Sequence, residues 1–266
     1  MRGNAHARCG GGEKAEERFQ SLTYSGQYGA ASDWSEQTWL YINRAPIVSI
    51  RWLPQPAFEG DEIRLIGEAY DPDGDPLQYA WRIRGPGYEA TDTRVETTIP
   101  ATATDGHPGE WEASLVVTDP YGLSAEAVQK IPVGDLQLKG FVSHTDLWES
   151  YRRNYNTEVS GDPERPRPAD MFWAGETFVL RAETNEPAAQ VTAQMSYTGI
   201  TAGLQPAAGA KAWTGAAHRD DFERLPDGAY RFEFTSQWPN GHIEQDTVTV
   251  TVKGDWTEYT ESVRKE

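Results

Sequence analysis

Residues 71–75, Asp-Pro-Asp-Gly-Asp, set three carboxylates at alternate positions with a turn former between each pair. Asp71, Asp73 and Asp75 can converge oxygens on a hard cation only if the backbone bends sharply, and Pro72 and Gly74 supply that bend. The plainer use of the same residues is structural: aspartates in turns accept hydrogen bonds from nearby backbone N–H groups with no ion present. The stretch is not an EF-hand, because the twelve-residue loop with its closing bidentate glutamate is missing. Catalytic patterns are absent. His6, His107, His144, His218 and His242 have no zinc-ligand spacing such as His-Glu-x-x-His, and no Gly-x-Ser-x-Gly elbow or phosphate-cradling glycine loop occurs. Cys9 has no ordered context that would activate it, and carboxylate pairs such as Glu158 and Asp162 are expected by coincidence in so acidic a chain. The expectation is a non-enzymatic protein.

The elements around the aspartates read as strands. Leu77, Tyr79, Trp81 and Ile83 alternate with the period of two that buries one face of a strand. Loop, strand and central tryptophan together predict the B–C region of an immunoglobulin-like sandwich. Similar short alternations recur between turn signals: Val48, Ile50, Trp52; Ile63, Leu65, Ala69; Trp111, Ala113, Leu115, Val117; and Ala127 to Val133. No window between 43 and 135 carries a helical apolar period. Farther on come Phe178, Leu180, Ala182; Val191, Ala193, Met195; Ala229 to Phe234; a hairpin turn at Trp238-Pro-Asn-Gly241; and a last strand from Thr247 to Val252. The predicted fold class is all-β: tandem immunoglobulin-like β-sandwiches with a short helical insertion in the second.

The domain plan follows from where these patterns change. Residues 1–18 are small, polar and charged, and are expected to be disordered or extended. Residues 19–42, with Trp34-Ser-Glu and Trp39-Leu-Tyr41, resemble the closing strands of a fibronectin type III-like domain, which would either pack on the next domain or belong to a domain whose remainder lies in a longer parent protein. One complete domain is expected over 43–135 and a second over 136–254, the latter with an inserted helix over 143–157 on which Leu147, Trp148, Tyr151 and Tyr155 share a face. Pro163, Pro166 and Pro168 then enforce an extended crossing, and residues 255–266 form a polar tail.

Residues 43–135 resemble PKD-type and related bacterial immunoglobulin-like domains. The matching residues are Asn43 with Pro46, Asp71-Pro-Asp-Gly-Asp75, Leu77-Gln-Tyr-Ala-Trp81, and Gly109-Glu-Trp111 leading to Leu115-Val-Val-Thr-Asp119 with Gly122. The chain departs from the family pattern after the tryptophan, where Arg82-Ile-Arg-Gly-Pro86 replaces the usual Phe-Gly-Asp-Gly. The resemblance implies a calcium ion held by Asn43, Asp71, Asp73 and Asp119, which would fasten the linker at Asn43 to the domain. The second domain resembles, more loosely, a module of large bacterial surface proteins, through Val142-Ser-His-Thr145, Arg152-Arg-Asn-Tyr-Asn156 and Phe172-Trp-Ala-Gly-Glu-Thr-Phe178. There Trp148, Tyr151, Tyr155 and Trp173 could make an aromatic sugar platform with Arg152 and Asn156 as its hydrogen-bonding rim, or the aromatics could simply pin the inserted helix to the sheet.

Composition narrows the partners. With 41 acidic against 24 basic residues in 266, a net charge of −17 argues against nucleic acid and anionic membrane, while suiting divalent cations. Ten Trp and twelve Tyr at alternating positions are mostly β-core. One cysteine permits no intrachain disulfide, which many secreted β-sandwiches also lack, and no apolar run in residues 1–12 marks a signal peptide or membrane span. The leading expectation is a structural or adhesive tandem segment of a secreted or cell-surface bacterial protein, partnered by other domains of a longer protein or by copies of itself. The alternatives are an accessory carbohydrate-binding region, recognisable by an exposed flat row drawn from Trp148, Trp173, Trp213 and Trp238, and a structural module of a phage tail or extracellular fibre.

Overall fold

The computed structural model of the chain describes residues 42–145, 169–173, 176–217 and 225–253. They fall into two compact units. The first takes the chain through Ala57 with Glu62–Ala103 and Gly109–Val133; the second takes Phe58–Asp61, Thr104–Pro108 and the chain from Gly134 onward.

Among the described residues the first unit is built on eight strands, two of which end on a residue grouped with the second (Phe58, Gly134): β1 (Ile47–Leu53), β2 (Ala57–Phe58), β3 (Ile63–Tyr70), β4 (Gln78–Gly85), β5 (Tyr88–Asp92), β6 (Glu96–Ile99), β7 (Gly109–Thr118) and β8 (Ser124–Gly134). They form a three-stranded sheet in the order β1-β3-β6 and a five-stranded sheet in the order β2-β8-β7-β4-β5. The alternation seen in the sequence selects the inward face. On β7, Trp111, Ala113, Leu115 and Val117 are all fully buried, and they meet Trp81, Ile83, Ile63, Leu65, Ile99 and Ile131 in one core. Each large side chain removed from water this way contributes about 1.5–3 kcal/mol. The buried Trp81 indole N–H is satisfied by the Arg94 carbonyl at 2.8 Å. Arg94 sits in a turn held by Asp92, whose carboxylate accepts the Arg94 guanidinium, the Thr97 hydroxyl at 2.7 Å and the Arg94 and Thr93 N–H groups. The Arg94 guanidinium and then the Thr97 hydroxyl hold the Asp92 carboxyl well below the usual carboxylate range. Outward-facing positions carry cross-strand pairs, among them Arg51–Glu68 and Lys130–Glu110, which are exposed and of small energetic weight.

The second unit repeats the plan with β9 (Leu138–Ser143), β10 (Met171–Trp173), β11 (Phe178–Thr184), β12 (Gln190–Met195), β13 (Thr201–Gly203), β14 (Gln205–Pro206), β15 (Ala212–Ala217), β16 (Gly228–Gln237) and β17 (Ile243–Lys253). One sheet runs β10-β17-β16-β12-β13 and the other β14-β15-β11-β9. With β14 set aside, every strand occupies the place of its counterpart in the first unit: β9 that of β1, β11 that of β3, β15 that of β6. Both units therefore have the strand order of an immunoglobulin-like sandwich, and the all-β expectation holds. Phe172, Phe178, Phe232, Phe234, Leu180 and Val252 fill the second core.

Several elements depart from the sequence reading. β5 and β6 are strands that the apolar alternation did not mark. Ser143, where the inserted helix was expected to begin, is instead the last residue of β9, paired with Val179. From residue 146 to 168 the inserted helix and the proline-rich crossing lie outside the described residues, as do the leader, all but Ile42 of the fibronectin-like remnant, and the tail. A short helix, Ala101–Thr104, falls where only loop was expected. The hairpin turn at Trp238–Gly241 is present, closed by Gly241 N–H to the Trp238 carbonyl at 2.9 Å, and it joins β16 to β17.

Candidate functional site

The aspartate turn occupies the loop between β3 and β4 in the first unit. Asp71 Oδ1 accepts the Asp73 N–H at 2.7 Å and the Asp71 carbonyl accepts the Gly74 N–H at 3.1 Å, so the chain reverses in one turn. Gly74 has a φ of 84°, a conformation that costs an L side chain about 1–2 kcal/mol. Asp73 is drawn elsewhere: its Oδ2 accepts the Arg44 N–H at 2.8 Å and its Oδ1 takes the Arg44 guanidinium at 2.9 Å, with the Asp73 side chain fully buried. Asp119, just past β7, turns the chain by accepting the Tyr121 and Leu123 N–H groups on Oδ1 at 2.8 and 2.9 Å, while Oδ2 accepts the Asn43 amide. Burial would raise the Asp119 carboxyl, but the Asn43, Leu123 and Tyr121 donors outweigh it and hold it below its usual range.

The four expected ligands thus form two linked groups. Asn43 joins Asp119 and its neighbour Arg44 joins Asp73, so the linker residues 43–44 bind both loops of the unit. Among the described residues, three side-chain oxygens are buried with no hydrogen-bond partner: Asn43 Oδ1, Asp71 Oδ2 and Asp75 Oδ2. All three are hard donors of the type calcium takes. Sequence reasoning included Asp75 among the alternating carboxylates but not in the ligand set carried by resemblance, and it missed the Arg44–Asp73 pair altogether.

The second unit holds a different cluster. His242, the first residue after the Trp238–Gly241 turn, places Nδ1 2.7 Å from Asp105 Oδ1, and Nε2 3.0 Å from Glu244 Oε1 and 3.6 Å from Glu59 Oε1. Glu59 Oε1 also accepts the Leu136 N–H at 2.6 Å. Asn240 ties the parts together: its amide N–H groups donate to the Glu59 carbonyl and to Asp61 Oδ1, both at 2.9 Å, and its Oδ1 accepts the His242 N–H at 3.1 Å. Gly60, with a φ of 80°, lies so close that a Cβ there would stand 2.9 Å from His242 Cβ. Burial disfavours the imidazolium, yet hydrogen bonds to Asp105 and Glu244 raise the His242 pKa above its ordinary value. Burial pushes the Glu59 carboxyl up, against the Leu136 N–H. Dismissing the histidines on spacing overlooked this group, because Asn240 and Glu59 are 181 residues apart and meet only in the fold.

Among the proposed sugar contacts, Trp148, Tyr151, Arg152, Tyr155 and Asn156 lie outside the described residues, and Trp173 is described only as the last residue of β10. Trp213 and Trp238 belong to the second core, with indole N–H groups donating to the Ala210 and Glu186 carbonyls. Among the described residues no helix is long and apolar enough to cross a membrane.

No protein-family model and no curated protein sequence matches the chain. Among solved structures it is similar to a 1.5-MDa bacterial ice-binding adhesin studied for host cell surface retention, at 14% identity over 79% of this chain and 64% of that one, with a TM-score of 0.41. It is also similar to a Ca2+-stabilized adhesin with which an Antarctic bacterium binds ice, at 15% identity over 88% of this chain and 56% of that one, with a TM-score of 0.40. A third is the PKD1 domain of Vibrio anguillarum Epp, at 19% identity over 35% of this chain and 99% of that one, with a TM-score of 0.29. The chain spans less than two thirds of the length of the two adhesin structures. The likeness is to a PKD domain and to bacterial adhesin structures, and the two units carry the immunoglobulin-like plan in their own strand order.

Proposed function

We propose that this chain is a non-catalytic tandem immunoglobulin-like segment of a secreted or cell-surface bacterial protein, acting as a spacer or adhesive stalk whose first sandwich is stiffened by calcium. The observation that carries the reading is the set of buried, unpartnered oxygens on Asn43, Asp71 and Asp75. A buried oxygen without a donor costs about 1–3 kcal/mol, and a hard dication is a partner that would lower that cost for the oxygens it reaches. Asn43, Asp71, Asp73, Asp75 and Asp119 are the residues that would hold it, with Asp73 shared with Arg44. An ion there would lock the linker residues to the loops after β3 and β7 and supply rigidity, with no reaction attached.

Both cores are filled by large apolar side chains, which suits a body that holds and positions. Its partners would be other modules of a longer protein or further copies of the chain, outside the cell. An accessory glycan-binding reading needs an exposed row of indoles, and the buried Trp213 and Trp238 lend it none. The test is calcium titration of the chelator-treated chain, followed by thermal melting and peptide-level hydrogen exchange. Calcium should raise the melting temperature and protect residues 43–46 and 71–75, and Asp71→Asn should abolish both effects. An unchanged melt and unchanged exchange in saturating calcium would refute the stiffened-stalk reading.

A further inference from the structure

We propose that Glu59, His242 and Glu244 form a second, chemically distinct metal site in the second unit, one for a divalent transition ion of the zinc type. Each residue offers one ligand atom, and the three atoms lie within 4.8 Å of one another. From His242 Nε2, Glu244 Oε1 is 3.0 Å away and Glu59 Oε1 is 3.6 Å away. An ion with bonds of about 2.0–2.1 Å puts neighbouring donors about 3.3 Å apart when tetrahedral and about 2.9 Å apart when octahedral, so the two separations need only small adjustment. The imidazole donor decides the class of ion. Calcium and magnesium take oxygen, whereas imidazole with carboxylate suits zinc and its transition-metal neighbours.

The surroundings are those of a prepared ligand set. Asp105 accepts the Nδ1 proton of His242 at 2.7 Å, the carboxylate–histidine arrangement that fixes the tautomer and turns the Nε2 lone pair toward the metal. The Asn240 amide and the Leu136 N–H hold His242 and Glu59 in register through their backbone and side-chain bonds. Gly60 leaves the room that His242 needs. Charge also argues for a cation. Three carboxylates, Glu59, Glu244 and Asp105, face one imidazole, so even the imidazolium leaves two negative charges in excess. Glu244 also lines an open depression of about 700 Å³ with Lys139 and Asp246.

The experiment uses the full chain, stripped with chelator and then held in excess calcium so that the aspartate turn is saturated. Zinc chloride is titrated by calorimetry, and cobalt chloride by visible absorption. The expected result is one saturable zinc site dependent on this cluster, with a cobalt ligand-field spectrum of mixed nitrogen and oxygen donors. Glu244→Gln and His242→Gln should each weaken it at least about tenfold, Asp105→Asn by about 10–100-fold, and Asp71→Asn not at all. Glu244 is partly exposed, so Glu244→Gln decides the matter even if His242→Gln fails to fold. No saturable zinc or cobalt binding, or binding that keeps its affinity in Glu244→Gln, overturns the assignment.

Discussion

The two carboxylate clusters solve the same problem by different means. In the first unit, the aspartate turn is a local object: Asp71 and Asp119 each spend one oxygen on backbone N–H groups within four residues, and only Asp73 meets a positive side chain. Among the described residues, Asn43, Asp71 and Asp75 keep buried oxygens that no donor reaches. In the second unit, Glu59, Asp105 and Glu244 converge from three separate stretches on one imidazole, which serves as their common counter-charge. A turn built from neighbours can lose one member and still reverse the chain. A cluster built around a single cation cannot lose that cation without stranding its carboxylates.

That contrast is broken most directly by His242→Ala. Removing the imidazole leaves the buried Glu59 carboxylate without its charge partner, a defect that costs about 3–5 kcal/mol when a buried pair is halved. The second unit should lose that much stability in metal-free buffer near neutral pH, read as faster hydrogen exchange in β16 and β17 with β7 and β8 unaffected. Equal loosening of both units would mean that the cluster is not a feature of the second unit alone.

Two glycines make a matched pair for the next largest effect. Gly60 and Gly74 have almost the same positive φ, 80° and 84°, so alanine meets the same backbone penalty of about 1–2 kcal/mol at each. Their neighbours differ. A Cβ on Gly74 meets nothing within 4 Å, whereas one on Gly60 presses on His242 Cβ at 2.9 Å. Gly60→Ala should therefore cost about 1–3 kcal/mol more than Gly74→Ala, the usual range for overpacking. Urea denaturation followed by exchange in the matching unit measures the gap, and two equal losses would show that His242 can retreat freely.

How much of this was legible in the sequence depends on how far apart the partners lie. The aspartate turn could be read because its spacing, its proline and its glycine are the geometry, and the β7 face could be read because Trp111 through Val117 alternate without interruption. β6 was hidden because half its buried face is Thr97, a polar side chain satisfied by Asp92 at 2.7 Å, and an apolar alternation does not register it. β5 buries none of its residues completely, so Tyr88-Glu-Ala-Thr-Asp carries no such signal. β9 was missed because its buried position is Gly140, packed beneath the Phe234 ring. The His242 cluster had no local sign at all; only the convergence of Phe58–Asp61, Thr104–Pro108 and the β16–β17 turn creates it.

A smaller effect sharpens the local side of the comparison. Asp71→Ala removes the acceptor for the Asp73 N–H and, at longer range, the Asp75 N–H, but leaves the Gly74 N–H to Asp71 carbonyl bond, which belongs to the backbone. In calcium-free buffer the loss should be no more than about 1 kcal/mol, the net value of one hydrogen bond, because the variant also removes the unpartnered Asp71 Oδ2. Calcium should widen the difference between wild type and variant. A loss as large as that of His242→Ala would show that the turn, too, depends on a single member.

The gentlest probe is pH, and its sign should differ between the units in metal-free protein. Asp119 titrates below its ordinary 3.8, so its contribution is present above that value and is lost as pH falls through the depressed folded one. His242 titrates above its ordinary 6.5, so its contribution is complete below that value and is lost as pH rises through the raised folded one. Glu59, pushed above 4.5 by burial, acts in the same direction as His242: its charged form is disfavoured in the fold, and stability falls as it ionises. Asp105, Glu244 and Asp135 are the other acidic groups facing this pair. Exchange protection, corrected for the chemical pH dependence of amide exchange, should therefore fall on the acid side in β7 and β8 and on the alkaline side in β16 and β17. His242→Gln should flatten the alkaline slope in the second unit while leaving the acid slope of the first unchanged. An alkaline slope that survives in that variant would place the titrating group somewhere other than the imidazole.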